Sequence, residues 1–316
     1  MKRRVAVAVA VLLGLPATAQ AASCGRECLI LTTNAYLAAL AAHDPAKARL
    51  APDLLFVENL KRLKPGEGLW SSLSGGPTRF AIVVPDPVLE QVGWLGMVER
   101  GGRPVLLGFR LKLKDGRITE AEHIVAEPGR GGTATLQRPR PGLLATIPAG
   151  RRLPHNRLIR IAASYYDSLD DNDGSAAPYA ADCQRRENGM TTAGEGTMPP
   201  PVKDPNPSPV AHDCKGQIDS RTFVYIDRID DRRMVAADPV TGLAMGFSHF
   251  RHPFTNLPYA VRHMDGSTSE RNAQNMPYKP FDMPAAHIFK VGPEGQIHEI
   301  EAVGYMAPYN SPTGRE

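Results

Sequence analysis

Histidine, the side chain best suited to proton transfer near neutral pH, is unevenly distributed in this chain of 316 residues. Two histidines, His43 and His123, precede residue 128. The other seven follow it: His155, His212, His249, His252, His263, His287 and His298. Acid–base chemistry is therefore expected in the second half of the chain.

The most informative of these histidines is His249. Strand alternation over residues 244–252 places Met245, Phe247, His249 and Arg251 on one face, and Gly246, Ser248, Phe250 and His252 on the other. An imidazole among large apolar side chains is either a general acid or base on a pocket wall or a core histidine bonded to a backbone carbonyl. We expect His252 to be exposed. Because a strand turns His249 and His252 to opposite faces, we expect no metal site there.

Several features of the first half recur later in the chain. The set Tyr36, Leu40, Asp44 and Glu58-Asn59 recurs 129 residues later as Tyr165, Leu169, Asp173 and Glu187-Asn188. At larger offsets, Asp86-Pro87 matches Asp238-Pro239, and residues 115–122 match 294–301. This pattern predicts an internal duplication, with loops inserted into the second copy at 189–217 and 251–284.

Each copy has a helical period first and strand alternation afterwards, which predicts an α+β fold with a curved antiparallel sheet in each domain. We divide the chain into a signal peptide, a first domain, a Pro/Gly-rich linker and a second domain with inserted loops, at residues 1–21, 22–127, 128–152 and 153–316. Linker composition of this kind is typical of a domain boundary. We therefore expect two separate domains and a linker that proteases cut first.

The N-terminus and the cysteines predict an exported protein. A basic start, an apolar run over residues 5–15 and Ala19-Gln20-Ala21 form a signal peptide cleaved after Ala21, so the mature protein is expected to be periplasmic or secreted. No later apolar run is long enough to span a membrane. The four cysteines allow three pairings. We favour Cys24 with Cys28 and Cys183 with Cys214, because the second bridge closes an irregular loop.

Composition argues against several classes of partner and cofactor. The formal net charge is only +4, and the basic residues alternate with acidic ones, so we expect no nucleic-acid binding. The sequence has no nucleophile elbow, phosphate loop or dinucleotide fingerprint. We expect no cofactor and no metal, a small-molecule ligand as the partner, and no membrane contact. A homodimer stays open.

The Tyr-x3-Leu-x3-Asp helices and the closing segments Asp115–Glu120 and Glu294–Glu299 resemble the SnoaL-like, ketosteroid-isomerase-like family of the nuclear-transport-factor-2 superfamily. The resemblance covers about residues 28–127 and 157–305 and reminds us of tandem secreted members of unassigned function. It implies two cone-shaped domains, each a curved sheet wrapped around N-terminal helices. Members include isomerases, dehydratases and pure binding modules, so this fold does not identify one activity.

In enzymes of this family, the proton-shuttling carboxylate lies on the strand that follows the first helices. The resemblance places Glu58 and Glu187 there, although a Glu-Asn pair kept in both copies also fits a purely structural role. With His249, we predict Glu187 and Glu301 as the catalytic residues, Glu301 because it shares a strand face with Ile297, Glu299 and Val303. Substrate contacts are expected from Tyr166, Asn188, Tyr225, Phe247, His287 and Tyr305.

Three functions are compatible with these residues. The first is a cofactor-independent lyase or isomerase that moves a proton on a small, partly apolar, aromatic or polyketide-like substrate in the second domain. The second is a secreted or periplasmic binding protein without turnover. The third is a scaffold whose domains pair through their sheets. We expect Glu58→Gln to lower turnover less than Glu187→Gln, and so to serve as its internal control, because we predict that the pocket of Glu58 lacks an equivalent histidine.

Overall fold

The computed structural model describes residues 23–197 and 209–316, so the expected signal peptide lies outside the described residues. The first half contains, in chain order, α1 (Arg26–Ala41), β1 (Leu50–Glu58), β2 (Lys61–Leu63), α2 (Leu69–Ser72), β3 (Leu73–Gly75), β4 (Ala81–Asp86), β5 (Gln91–Arg100), β6 (Arg103–Lys114) and β7 (Arg117–Ala126), with a 3-10 turn at Pro45–Lys47. Within the described ranges, no helix is long and apolar enough to cross a membrane.

A connecting segment and the second half follow. The connector carries two single-turn helices, α3 (Gly132–Thr135) and α4 (Pro141–Leu144), and a 3-10 turn at Ala149–Arg151. The second half contains α5 (His155–Asp171), β8 (Tyr179–Glu187), β9 (Met190–Ala193), α6 (Cys214–Asp219), β10 (Arg228–Asp238), β11 (Leu243–His252), β12 (Tyr259–Arg262), β13 (Thr268–Arg271), β14 (Phe281–Val291), β15 (Ile297–Gly304) and β16 (Ala307–Pro308).

The two halves order their strands in the same way. The first sheet runs β2-β1-β7-β6-β5, with β3 and β4 both pairing with β5, and the second runs β9-β8-β15-β14-β11-β10. The fold is α+β with curved sheets, as predicted, but each sheet has one parallel pair, β1 with β7 and β8 with β15. The inserted hairpin β12–β13 forms a separate sheet of two strands.

The long helix α5 covers one face of the second sheet. In α5, the buried apolar residues Leu158, Ala162, Tyr165, Tyr166 and Leu169 lie three or four positions apart and form one stripe. This stripe packs on the sheet within a core that also contains strand residues such as Ile297 and Ile300. The helix ends at Asn172, which adopts the left-handed conformation (φ 51°) that commonly ends helices.

Two disulfides are present, Cys24–Cys28 and Cys183–Cys214, and these are the pairs favoured by the sequence analysis. The second bridge joins β8 to the start of α6. Disulfides of this kind are typical of an oxidising compartment.

The halves are not separate, contrary to the sequence-based expectation. One buried cluster draws Phe80, Leu95 and Met97 from the first half and Met245 and Phe247 from the second. Strand β11, next to the edge strand β10, is therefore buried along nearly its whole length, on both faces. A sheet with one solvated face would instead show alternating burial, so the outer faces of the two sheets are covered by each other.

The connector is docked on the second half. Leu136 and Leu143 are buried, the Gly129 amide donates to the Asn188 carbonyl, and the Ile147 amide donates to the Val240 carbonyl. The high Gly and Pro content of the connector thus indicates an irregular backbone, but this backbone is packed against the second half.

We accordingly expect residues 128–152 to resist proteolysis while the protein is folded, because cleavage needs backbone that can leave its packing and hydrogen bonds. Limited digestion with subtilisin, followed by mass spectrometry of the first fragments, measures this. Early cleavage within 128–152 would contradict the docked connector.

Candidate functional site

A cavity of about 40 Å³ lies in the second half, between the sheet, α5 and the segment that joins α6 to β10. Such a volume holds about three water molecules. Its lining is mostly apolar and aromatic, with a few polar groups: Leu169, Arg185, Glu187, Phe223, Tyr225, Ile226, Phe250, His252, Met283, Ala285, His287, Ala302, Val303 and Gly304. An apolar cavity with a small number of polar side chains is the usual form of a small-molecule site.

Glu187 lies in this cavity, as the resemblance implied. It is the last residue of β8, and its Oε2 accepts a hydrogen bond of 3.0 Å from Nη2 of Arg185. The other oxygen, Oε1, has no hydrogen-bond partner among residues 23–197 and 209–316. One carboxylate oxygen is therefore held by Arg185, and no described side chain holds the other.

Two histidines line the cavity with Glu187, and neither is His249. His252 is only 2% exposed, against the expectation that it lies at the surface, and its ring stacks on Phe281 at 4.3 Å. Burial lowers the pKa of His252 to about 4 and that of His287 to about 3. Both imidazoles are therefore neutral at pH 7. Neutral imidazoles are weak bases at these pKa values but remain hydrogen-bond donors.

Tyr225 adds a hydroxyl to the cavity wall. Its ring stacks against His252, with 5.4 Å between centroids. Burial is the main reason that its pKa lies well above the ordinary value of 10, so the hydroxyl keeps its proton at neutral pH. It can therefore donate to a bound molecule.

His249 does not reach the cavity, contrary to the prediction that it shares a pocket with Glu187. It lies on the face of β11 that is turned toward the first half. Its Nε2 lies 3.3 Å from Oδ2 of Asp282 and 3.3 Å from Nη1 of Arg251, both in the second half. The predicted alternation along β11 is right, but the apolar face that carries Phe247 packs on the other half. The cavity lies on the face of Phe250 and His252.

Glu301 is also outside the cavity. Its Oε2 accepts a hydrogen bond of 3.0 Å from Arg140 of the connector, and its side chain is only 3% exposed. Burial raises the pKa of this carboxyl, an effect that Arg140 and Arg186 partly oppose. Glu301 therefore holds the connector and has no access to a ligand in the cavity, which is lined on this strand by its neighbour Ala302.

Of the six expected contact residues, Tyr225 and His287 line the cavity. Tyr166 lies behind His287, with its hydroxyl 3.3 Å from Nδ1 of that ring. The side chain of Asn188 instead bonds the backbone of Gly304 through both of its polar atoms, a structural role.

Phe247 and Tyr305 lie between the halves. Phe247 belongs to the buried cluster shared by the two sheets, and the Arg233 guanidinium lies 5.5 Å from the centre of its ring. Tyr305 packs against the same cluster, and its hydroxyl is buried without a partner in the described ranges. Neither residue can contact a ligand in the cavity.

Sequence analysis missed Arg185. The alternation of β8 places Cys183, Arg185 and Glu187 on one face, so the pattern itself could have found it.

In the first half, the corresponding carboxylate is that of Glu58, and it is bonded within the protein. Both oxygens of Glu58 accept the Leu69 amide at 3.0 Å, and Nδ1 of His123 donates to Oε2 at 3.2 Å. Nε2 of His123 in turn lies 2.9 Å from the Tyr36 hydroxyl. The rings of Tyr36 and Trp70 pack edge to face. The expectation that Glu58 lacks a neighbouring histidine is therefore wrong. Because α2 covers the carboxylate, the network is satisfied internally.

No metal site is evident in the described ranges, which contain no cluster of three or more His, Cys, Asp or Glu side chains able to hold an ion. Around the cavity, Glu187, His252 and His287 come from three different strands, β8, β11 and β14. Their chemistry is that of proton acceptors and hydrogen-bond donors.

Comparison with known proteins adds a family of unassigned function. A model described as a domain of unknown function, DUF8021, matches residues 151–304, which is the half with the cavity and just under half of the chain. No curated protein matches the chain.

Three similar solved structures are polyketide cyclases by provisional assignment. The protein from Xanthomonas campestris pv. campestris is 14% identical with a TM-score of 0.29, covering 47% of this chain and 90% of its own. The Silicibacter sp. protein is 14% identical with a TM-score of 0.29, covering 49% and 91%. The Jannaschia sp. protein, called SnoaL-like, is 10% identical with a TM-score of 0.28, covering 48% and 89%. At these TM-scores, the likenesses carry no argument about activity.

Proposed function

We propose that the second half is a cofactor-independent proton-transfer enzyme, a lyase or isomerase that acts on a small carbonyl compound. The observation that carries this proposal is the Glu187 carboxylate, with one oxygen held by Arg185 and the other free in the cavity. Tyr225 and His252 supply uncharged hydrogen-bond donors in the same cavity. The two disulfides and the N-terminal signal pattern support activity outside the cytoplasm.

In this proposal, Glu187 is the base. Its Oε1 takes a proton from the carbon next to the carbonyl. The electron pair of that C–H bond forms a carbon–carbon double bond, and the π electron pair of the carbonyl moves to its oxygen, which gives an enolate. The Tyr225 hydroxyl donates to the developing oxyanion, with His252 as a second, neutral donor. Glu187 then returns the proton to another carbon in an isomerisation, or a group on the neighbouring carbon leaves in an elimination. A neutral imidazole that polarises a carbonyl has precedent in enzymes.

The size of the cavity limits the substrate. A volume of about 40 Å³ favours a molecule of a few heavy atoms. A larger aromatic substrate requires the wall that carries Phe223 and Tyr225 to move. This wall follows α6, which is tied to β8 by the bridge between Cys183 and Cys214.

Ligand binding without turnover is the second candidate. The ion pair between Arg185 and Glu187 favours it, because a paired carboxylate can be a fixed hydrogen-bond acceptor for a ligand. Under this alternative, a bound molecule keeps its C–H bonds.

The exchange of the α-protons of 2-butanone for deuterium in D2O separates the two candidates. We expect Glu187→Gln to lower the exchange rate by about 100-fold, the usual scale for losing a general base. The matched control is Glu58→Gln, which changes the corresponding carboxylate in the covered network of the first half and should leave exchange per folded molecule unchanged. If the wild-type protein binds small ketones without exchange, or if Glu187→Gln exchanges at the wild-type rate, the binding role is the better assignment.

A further inference from the structure

We infer that Arg185 is a positioning residue for Glu187: it holds one carboxylate oxygen so that the other faces the cavity. This inference rests on the proposed function, since it concerns the same base. Arg185 would act through Glu187 and not on the substrate directly.

Three structural elements hold the Arg185 guanidinium in place. Its Nε donates to the Tyr165 hydroxyl of α5 at 2.9 Å, and its Nη1 donates to Oγ1 of Thr192 in β9 at 2.9 Å. Its third nitrogen, Nη2, donates to Glu187 at 3.0 Å, and the Phe223 ring lies 5.5 Å from the centre of the guanidinium. At 5% exposure, the cation is almost sealed from water. Such a guanidinium can hold a carboxylate in one orientation.

The first half shows the same strand without the arginine. Phe56 stands two residues before Glu58 in β1, as Arg185 stands two residues before Glu187 in β8. There the Leu69 amide contacts both oxygens of Glu58. The arginine thus occurs in the half whose carboxylate has a free oxygen, and an apolar ring takes its place in the half whose carboxylate is covered.

Stability alone does not explain a buried arginine at this position. The desolvation penalty of a buried ion pair is comparable to its Coulombic gain, so such pairs contribute little net stability. Phe56 shows that this strand position accepts an apolar side chain. The cation is better explained by what it does to Glu187, to which it donates a hydrogen bond in the cavity.

The test compares Arg185→Met with wild type in the 2-butanone exchange assay over a range of 2-butanone concentrations. We expect kcat to fall about tenfold or more with little change in KM, because an unheld base loses its productive orientation while the cavity still binds the ketone. Arg185→Lys, which keeps the charge, should recover part of the lost kcat.

Arg186→Met is the matched control, since Arg186 is the next residue of the same strand and its guanidinium contacts the carbonyl of Thr135 in the connector. It should change neither kcat nor KM. An unchanged kcat in folded Arg185→Met would overturn the inference while the proposed function stands, whereas absence of exchange in wild type removes the proposed function itself. If Arg185→Met does not fold, Tyr165→Phe is the substitute, because it removes one hydrogen bond that holds the guanidinium. It should slow exchange about threefold. Exchange by Tyr165→Phe at the wild-type rate would equally overturn the inference.

Discussion

Arg140→Met should lower the free energy of unfolding by about 3 to 5 kcal/mol at pH 7, the scale for removing one partner of a buried ion pair. The Arg140 side chain is 10% exposed and lies 2.9 Å from Glu299 and 3.0 Å from Glu301. It also donates to the carbonyls of Gln184 and Ile300. Without it, two nearly buried carboxylates lose their closest cation and two carbonyls lose a donor. Urea denaturation measures the change.

The pH dependence gives this prediction a second readout. Burial raises the pKa of both Glu299 and Glu301 above the ordinary value of 4.5. A carboxyl whose pKa is raised in the folded state binds its proton more tightly when folded. The free energy of unfolding therefore decreases as the pH rises above the ordinary value of 4.5 and the carboxyl loses that proton. The deficit of Arg140→Met should therefore be largest near neutral pH and shrink as the pH falls toward 4.5. Arg138→Met, at an exposed position of the same connector, should cost nothing measurable. A deficit independent of pH would mean that Arg140 acts through packing alone.

Replacing Cys183 and Cys214 together with Ala should lower the free energy of unfolding by about 3 to 4 kcal/mol in the chain-entropy model of disulfides. The bridge closes a sequence separation of 31 residues, and both cysteines are buried in the core of the second half. Its loss lengthens the free segment of the unfolded chain and loosens α6 against β8. Thermal or urea unfolding of the oxidised proteins measures the difference.

The bridge between Cys24 and Cys28 is the internal comparison. It spans a separation of only 4 residues, for which the same model gives about 2 kcal/mol. The double Ala variant at Cys24 and Cys28 should therefore be the more stable of the two. Equal losses, or a larger loss at the short bridge, would show that strain or packing outweighs loop entropy in this protein.

Local patterns in the sequence are enough to predict much of this fold. The spacing of Leu158, Ala162, Tyr165 and Leu169 predicts the buried stripe of α5, and loop closure favours the pairing of Cys183 with Cys214. The strand position of Glu187 follows from the family resemblance together with the recurrence of Glu58. Each of these features depends on neighbours in sequence or on one loop, and such features can be read without knowing how the sheets pack.

The identity of the histidine in the cavity could not be read in this way. Alternation correctly assigns His249 and His252 to opposite faces of β11. The apolar pattern predicts that a face is buried, but it does not predict which part of the protein covers that face. Because the two sheets cover each other, both faces of β11 are buried, one against the first half and one against the cavity. The same packing, together with the docked connector, turns Glu301 toward Arg140. These assignments depend on contacts between residues more than 100 positions apart, such as the 161 between Arg140 and Glu301, and no local period in the sequence encodes such contacts.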